Sequence, residues 1–181
     1  MDLLQRFARG EIDAFETLVR QFQGDIYAWT VRIVRDPGVA EDLTVETLWR
    51  VYRARQKFRP DGNFGAWARR IATNLAIDHL RRNRPEQSFV AEPRGAPQAD
   101  PVVQRETQES IQQAFRRLPA KLQVAARLAL VEELPYDEIA SALGTSVGAV
   151  KLRVFRAVRI LRKRLSQTGV RSEGKDMRTS R

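Results

Sequence analysis

Residues 134–165 read LPYDEIASALGTSVGAVKLRVFRAVRILRKRL and predict two short helices joined by a tight turn. Asp137 and Glu138 suit the first turn of the first helix, where the helix dipole favours negative charge. Gly144 can take the left-handed conformation that ends a helix, and Ser146 can cap the next one. This stretch therefore predicts a helix-turn-helix, a layout that reads the major groove of duplex DNA.

The second of these helices is apolar along one side and basic along the others. At about 100° per residue, its apolar residues share one arc of about 100°: Val147, Val150, Val154, Ala157, Val158, Leu161 and Leu165. Residues 151–181 hold eleven Lys or Arg and two acids, so nine of the chain's ten net positive charges lie there. Because neutralised phosphates release counterions, this clustering favours nucleic acid as the partner over a merely solvated basic face.

Composition limits the remaining classes of protein. The 181 residues are 43% hydrophobic, enough for one or two small cores, and include no cysteine for a disulfide or a thiolate metal site. No apolar run reaches the length of a membrane span, and the first residues lack the apolar segment of a signal peptide. We therefore expect a cytoplasmic protein that does not insert into membranes.

Sequence signals of catalysis are missing. His79 is the single histidine, and one imidazole without partners forms neither a catalytic nor a metal site. The chain has no glycine-rich phosphate loop and no nucleophile in a recognisable motif. We expect no catalytic residue, no metal and no cofactor, and a partly exposed structural role for His79.

Helical periodicity runs through the first half of the chain. Apolar residues three and four positions apart predict helices over about residues 12–34, 37–55 and 63–82. Asp36 is placed to cap the second helix, with Pro37 as its first residue.

Residues 83–104 interrupt this periodicity and hold four of the chain's eight prolines. We predict a flexible linker there, a helical lobe over residues 1–82, a second lobe over residues 105–166, and a disordered basic tail over residues 167–181. The expected fold is all-α, with two small helical domains of which the second contains the helix-turn-helix.

Several motifs together resemble the extracytoplasmic-function (ECF) group of bacterial RNA polymerase sigma factors. They are AEDLTVETLWRVYRA from residue 40, KFRPDGNFGAWARRIATNLAIDHLRR from residue 57, LPAKLQV from residue 118, and YDEIASALGTSVGAVKLRVFRA from residue 136. Their order and spacing extend over about residues 10–165. The resemblance implies that the first lobe docks on the clamp of the largest subunit of core RNA polymerase and opens the minus-ten element. The second lobe would read the minus-thirty-five element, and an anti-sigma factor would be a further partner.

For clamp docking, the resemblance points to residues of the second helix: Asp42, Leu43, Glu46 and Trp49, with Leu48 nearby. The family commonly has Gln where this chain has Val45. The alternative interpretation of these residues is a solvated acidic helix face beside a core aromatic.

For promoter opening, the resemblance points to a loop and to the helix after it: Phe58, Arg59, Asp61, Asn63, Phe64, Arg70, Asn74 and Arg81. Asn74 would enclose a base flipped out of the non-template strand. Arg70, Asn74 and Arg81 wind to within about 40° of one another, so phosphate-binding cations and a base-reading amide share one side of the helix. Phe64 and Trp67 lie in the apolar stripe of that helix, and for Trp67 packing in the core is favoured over stacking on bases.

For the minus-thirty-five element, the matching residues lie at and after the turn: Ser146, Lys151, Arg153, Phe155 and Arg156. Leu152 stands where Ser is common, and Ala129 and Leu130 replace a frequent Arg-Glu pair. These departures remove possible phosphate contacts and predict an altered promoter preference.

Two other functions remain to be weighed. A stand-alone helix-turn-helix regulator would bind duplex DNA unaided, usually as a dimer, but it has no use for an acidic docking helix and a single-strand loop. A DNA-processing enzyme such as a recombinase would need a nucleophile or a metal-binding carboxylate cluster, and the sequence offers neither.

Overall fold

The computed structural model describes residues 2–83 and 101–167. Within these ranges it is all-helical, without a strand, which confirms the predicted fold class. Its helices are α1 (Leu3–Arg9), α2 (Ile12–Val34), α3 (Pro37–Arg53), α4 (Phe64–Arg82), α5 (Pro101–Arg116), α6 (Ala120–Leu130), α7 (Tyr136–Leu143) and α8 (Val147–Gln167).

Side-chain caps fix where the helices of the first lobe begin. The Asp36 carboxylate accepts a hydrogen bond from the backbone N–H of Val39 at 3.0 Å, so α3 starts at Pro37 as expected. Asn63 caps α4 in the same way, accepting from Ala66 N–H at 2.9 Å. Helix α3 ends at Arg53, slightly before the predicted residue 55, because the chain tightens into a 3-10 turn over Arg55–Lys57.

Helix α1 was not anticipated from the sequence. It is only seven residues long, too short to show a clear helical period. Its one buried side chain, Phe7, contacts four rings of the first lobe, at centroid distances from 5.5 to 6.5 Å: those of Phe15, Phe58, Phe64 and Trp67. Tertiary packing therefore stabilises a helix that would not persist alone.

The second lobe is built around α6, α7 and α8. Ile139 of α7 and Val150 of α8 are completely buried where the two helices cross, and Ala140 between them is also buried. Gly144 ends α7 in the left-handed region at φ 58°, and Ser146 Oγ accepts from Ala149 N–H at 3.2 Å. The predicted helix-turn-helix is thus present, with the expected stop and cap.

One residue of the predicted apolar arc departs from it. Val147 is 38% exposed because it is the first residue of α8, before the stripe meets its neighbouring helices. Val150, Val154, Ala157 and Leu161 of the same arc are buried.

The two lobes pack against each other through α4, α6 and α7. Arg69 of α4 donates to Glu138 of α7 at 2.9 Å, and Glu132 lies 3.6 Å from both Arg32 and Arg35 at the end of α2. Buried residues of both lobes, among them Ala72 and Ile139, belong to one continuous hydrophobic core.

The predicted linker and tail fall mostly outside the described residues. Helix α5 begins at Pro101, within the segment 83–104 that the sequence assigns to the linker. The remainder of that segment from residue 84, and the predicted tail from residue 168 onwards, lie beyond the described ranges.

Candidate protein and nucleic-acid interfaces

One face of α3 exposes large apolar residues among carboxylates. Val45 is 69% exposed and Trp49 is 54% exposed; Asp42 is exposed, and Glu46 pairs with Arg50 at 2.7 Å. Positions 42, 45, 46 and 49 lie on one side of a helix because residues three and four apart are neighbours. We call these four residues the α3 face. Trp49 is therefore a surface residue and not the core aromatic of the alternative interpretation.

Leu43 does not belong to this face. It is 7% exposed and points into the core of the first lobe. Its partner in the sequence assignment, Leu48, is half-buried against the same core. The structure thus gives Leu43 a packing role beneath the α3 face, which exposes different side chains.

The loop between α3 and α4 combines two buried rings with exposed charges. Phe58 and Phe64 are 6% and 4% exposed, and their ring centroids lie 5.7 Å apart. Arg59 and Asp61 pair at 3.0 Å on the exposed side of the loop. The two phenylalanines anchor the ends of the loop in the core, so their rings are not available to DNA in this arrangement, whereas Arg59, Asp61 and Asn63 are exposed.

Helix α4 carries the other three residues predicted for the minus-ten element, and all are exposed: Arg70, Asn74 and Arg81. Arg81 lies 3.5 Å from Asp78. The guanidinium of Arg70 is close to the turn of the second lobe, since a Cβ atom added at Gly144 would lie 2.5 Å from Arg70 Nε. Trp67, only about 20° from Asn74 around the helix, is partly buried against the core, as the sequence indicated.

The outer side of α8 bears most of the residues predicted for the minus-thirty-five element. Lys151, Phe155 and Arg156 are exposed, Phe155 to 64%, whereas Arg153 is only partly exposed. Ser146 is exposed as well, although its hydroxyl oxygen already caps α8. The five residues therefore surround the first turns of α8, the part of a recognition helix that meets base edges in helix-turn-helix proteins.

A groove of about 760 Å³ separates the end of α4 from α5 and α6. Three arginines line it, Arg35, Arg116 and Arg127, together with His79. Burial, and then the nearby charge of Arg35, lower the pKa of Arg127 to about 10. Sequence reasoning missed this residue because its burial depends on α5 and α2, which are distant in the chain.

His79 contacts no group suited to catalysis in the described structure. The side-chain amide of Asn83 lies 3.0 Å from its Nε2 atom, on the exposed end of α4. Among residues 2–83 and 101–167, no group of three or more metal-ligating side chains comes together. In the same ranges, no helix has the length and apolar character needed to cross a bilayer.

The fold and these surfaces define a two-lobed helical protein whose second lobe is a helix-turn-helix of the DNA-binding kind. Residues 18–86 match the family model "Sigma-70 region 2", and residues 108–161 match "Sigma-70, region 4". The chain therefore belongs to the sigma-70 family of RNA polymerase sigma factors, within its ECF group.

Individual relatives agree with this membership. The chain is 33% identical to RNA polymerase sigma-H factor of Pseudomonas aeruginosa, over 86% of this chain and 88% of that protein. It is 32% identical to ECF RNA polymerase sigma factor SigW of Bacillus subtilis, over 90% of this chain and 94% of that protein. Among solved structures, CnrH in complex with the cytosolic domain of CnrY aligns with a TM-score of 0.57 and 25% identity, covering 91% and 95% of the two chains.

Proposed function

We propose that the three surfaces act together: the α3 face binds core RNA polymerase, the loop and α4 open the minus-ten element, and α8 reads the minus-thirty-five element. The observation that carries this proposal is the α3 face, where Trp49 and Val45 stand exposed on the same side of one helix. Exposed aromatic residues in an otherwise charged surface are typical of the centre of a protein interface.

The charges of the α3 face set the kind of surface that it fits. Asp42 is exposed and Glu46 already has Arg50 as a partner, so the face offers a carboxylate beside an apolar centre. A basic rim around an apolar pocket on the polymerase would complement it, and the opposite charges would steer association.

For promoter opening, Arg70 and Asn74 supply complementary contacts. The arginine holds the phosphate backbone, and the amide of Asn74 hydrogen-bonds the edge of a base taken out of the stack. Extruding a base costs a few kcal/mol, which these contacts must offset, because the chain contains no nucleotide-hydrolysis motif. The protein thus acts by binding alone, without a catalytic residue or a cofactor, in the cytoplasm and under the control of an anti-sigma partner.

The experiment that tests this proposal mixes the full chain with sigma-free bacterial core polymerase and assays both complex formation and promoter opening. Gel filtration should show a stable complex that Trp49→Ala weakens at least tenfold, the size typical of a buried aromatic anchor. Ile12→Ala is the matched control, since Ile12 is 63% exposed on a different helix and should leave the complex unchanged.

Promoter opening should depend on Asn74 separately. Asn74→Ala should leave the polymerase complex and duplex binding intact but reduce the reactivity of unpaired bases to permanganate at the minus-ten element. The proposal would be contradicted if the chain did not bind core polymerase but bound duplex DNA tightly on its own. That result would support a stand-alone regulator.

A further inference from the structure

A leucine lies on the side of α8 that faces away from the buried stripe. At about 100° per residue, Leu152 lies roughly 170° from the centre of the buried stripe formed by Val150, Val154, Ala157 and Leu161. It is 48% exposed, and it packs in neither of the described hydrophobic cores. Its position on the helix therefore gives it no structural role within the second lobe.

Its surroundings favour a partner with phosphates. Arg156 and Arg159 are exposed within about 40° of it on the outer side of α8, and Lys151, about 100° away, is exposed as well. Phe155, three residues further on, is 64% exposed and extends the apolar surface. An apolar tip between cations is suited to a duplex groove, where the cations meet the two backbones and the tip meets the floor.

The helix surface beside Leu152 is also unusually open. Gly148 lies four residues before it, and a Cβ atom added there would meet only Ser146 Oγ, at 3.9 Å. At Gly148 the first turn of α8 therefore exposes backbone with no side chain over it. Base pairs can approach this turn closely, which brings the Leu152 side chain within reach of the groove floor.

Among the major-groove features, the thymine methyl group is the best match for a leucine. The leucine side chain has no hydrogen-bonding group, and the edges of guanine, cytosine and adenine offer donors and acceptors only, whereas thymine also carries a C5-methyl group. We propose that Leu152, flanked by Phe155, is a specificity-determining residue that contacts a thymine methyl in the minus-thirty-five element. This inference rests on the proposed function, because it requires α8 to lie in the major groove.

The test replaces thymine by deoxyuridine, which removes the methyl group and leaves every hydrogen-bonding atom in place. The full chain in complex with core polymerase first selects a preferred upstream element from a randomised duplex pool. Each thymine of the selected element is then replaced in turn, on either strand, and affinity is measured by competition for the labelled parent duplex.

At one or two adjacent thymines, replacement should weaken binding about fourfold, the effect of burying one methyl group. Leu152→Ala should weaken binding of the parent duplex by a similar factor and should remove the sensitivity to deoxyuridine at those positions. Ile12→Ala is the matched control, because Ile12 is an exposed aliphatic residue, 63%, on α2 of the first lobe. That variant should keep the parent affinity and the parent sensitivity.

Two results would overturn the inference while leaving the proposed function standing. One is a selected element at which no thymine is sensitive to loss of its methyl group; the other is equal sensitivity in Leu152→Ala and the parent. A third result would also overturn the inference: Leu152→Ala loses polymerase binding but keeps the parent's preference for the upstream element. Leu152 would then belong to a contact with the polymerase. Failure to select any upstream element would instead contradict the proposed function.

Discussion

Replacing Arg127 by methionine should stabilise this protein. Arg127 lies in the groove between the lobes, stacked over Phe115 with its guanidinium carbon 5.8 Å from the ring centroid. Its Nε atom is buried and has no hydrogen-bond partner among the described residues. Methionine keeps the length and flexibility of the side chain and can fill the same space beside the ring.

The expected size of the effect follows from the pKa of Arg127. Burial, followed by repulsion from Arg35, lowers that pKa from its ordinary value to about 10, and Arg116 adds to the repulsion. Each pKa unit corresponds to about 1.36 kcal/mol, so the charged form is disfavoured in the folded state by on the order of 3 kcal/mol. Solvent reaches part of the side chain, and the attraction to Glu132 is lost in the variant. We therefore expect a net gain of about 1–2 kcal/mol in unfolding free energy.

The pH dependence gives this prediction a definite sign. Below pH 10 the guanidinium is charged in both folded and unfolded protein, so its cost is fully present. As pH rises above about 10 the folded protein releases the proton while the unfolded chain keeps it, and the parent gains stability. The advantage of Arg127→Met should therefore shrink by about 1 kcal/mol between pH 10 and pH 11.

Urea denaturation of the parent and the variant at pH 7, 9, 10 and 11 measures both effects. Arg162→Met is the matched control, because Arg162 is exposed on α8 and surface substitutions usually change stability by less than about 0.5 kcal/mol. Destabilisation by Arg127→Met at pH 7, or an advantage that grows at high pH, would refute the reasoning.

Two further predictions concern contacts between helices. The buried Trp29 indole N–H donates to Thr73 Oγ1 at 2.9 Å, and Thr73→Val leaves this N–H without an acceptor. The variant should therefore lower the free energy of unfolding in urea by about 1–3 kcal/mol. Thr17→Val, which removes an exposed hydroxyl, should lower it much less. Glu138→Arg should raise the ratio of separated to packed lobes up to about fivefold at low salt, measured by energy transfer between dyes on α3 and α8. Exchanging the charges in Arg69→Glu/Glu138→Arg should restore the packed state, and an unchanged signal in both variants would show that this ion pair does not hold the lobes together.

Sequence patterns predicted those helices and turns whose stabilising contacts lie close together in the chain. Helices α2, α3 and α4 are long and strongly periodic, and their caps at Asp36 and Asn63 lie next to the residues they serve. The turn at Gly144 is equally local. In contrast, α1 depends on Phe7 reaching rings far along the chain, which no short-range pattern reveals.

The same distinction applies to the candidate sites. The helical period placed Arg70, Asn74 and Lys151 on outer faces correctly, since exposure opposite an apolar stripe follows from geometry alone. The family resemblance assigned whole motifs, so the buried Leu43, Phe58 and Phe64 shared an assignment with exposed neighbours, although the period had already placed Phe64 in the apolar stripe. Likewise, the repulsion at Arg127 comes from Arg35, just after α2, and from Arg116 of α5, both outside the helix that carries Arg127.

The contact between the lobes competes with the proposed DNA contact of α4. Arg69 pairs with Glu138, and the next residue, Arg70, lies against the turn at Gly144. A phosphate bound to Arg70 would occupy the space that this turn fills, so the packed arrangement and full contact with DNA exclude each other at this residue. The partly exposed Arg69–Glu138 pair contributes little to the packed arrangement and weakens as salt increases. The hydrophobic core that joins buried residues of both lobes contributes more. Separating the lobes would therefore require a partner surface that offsets this apolar burial.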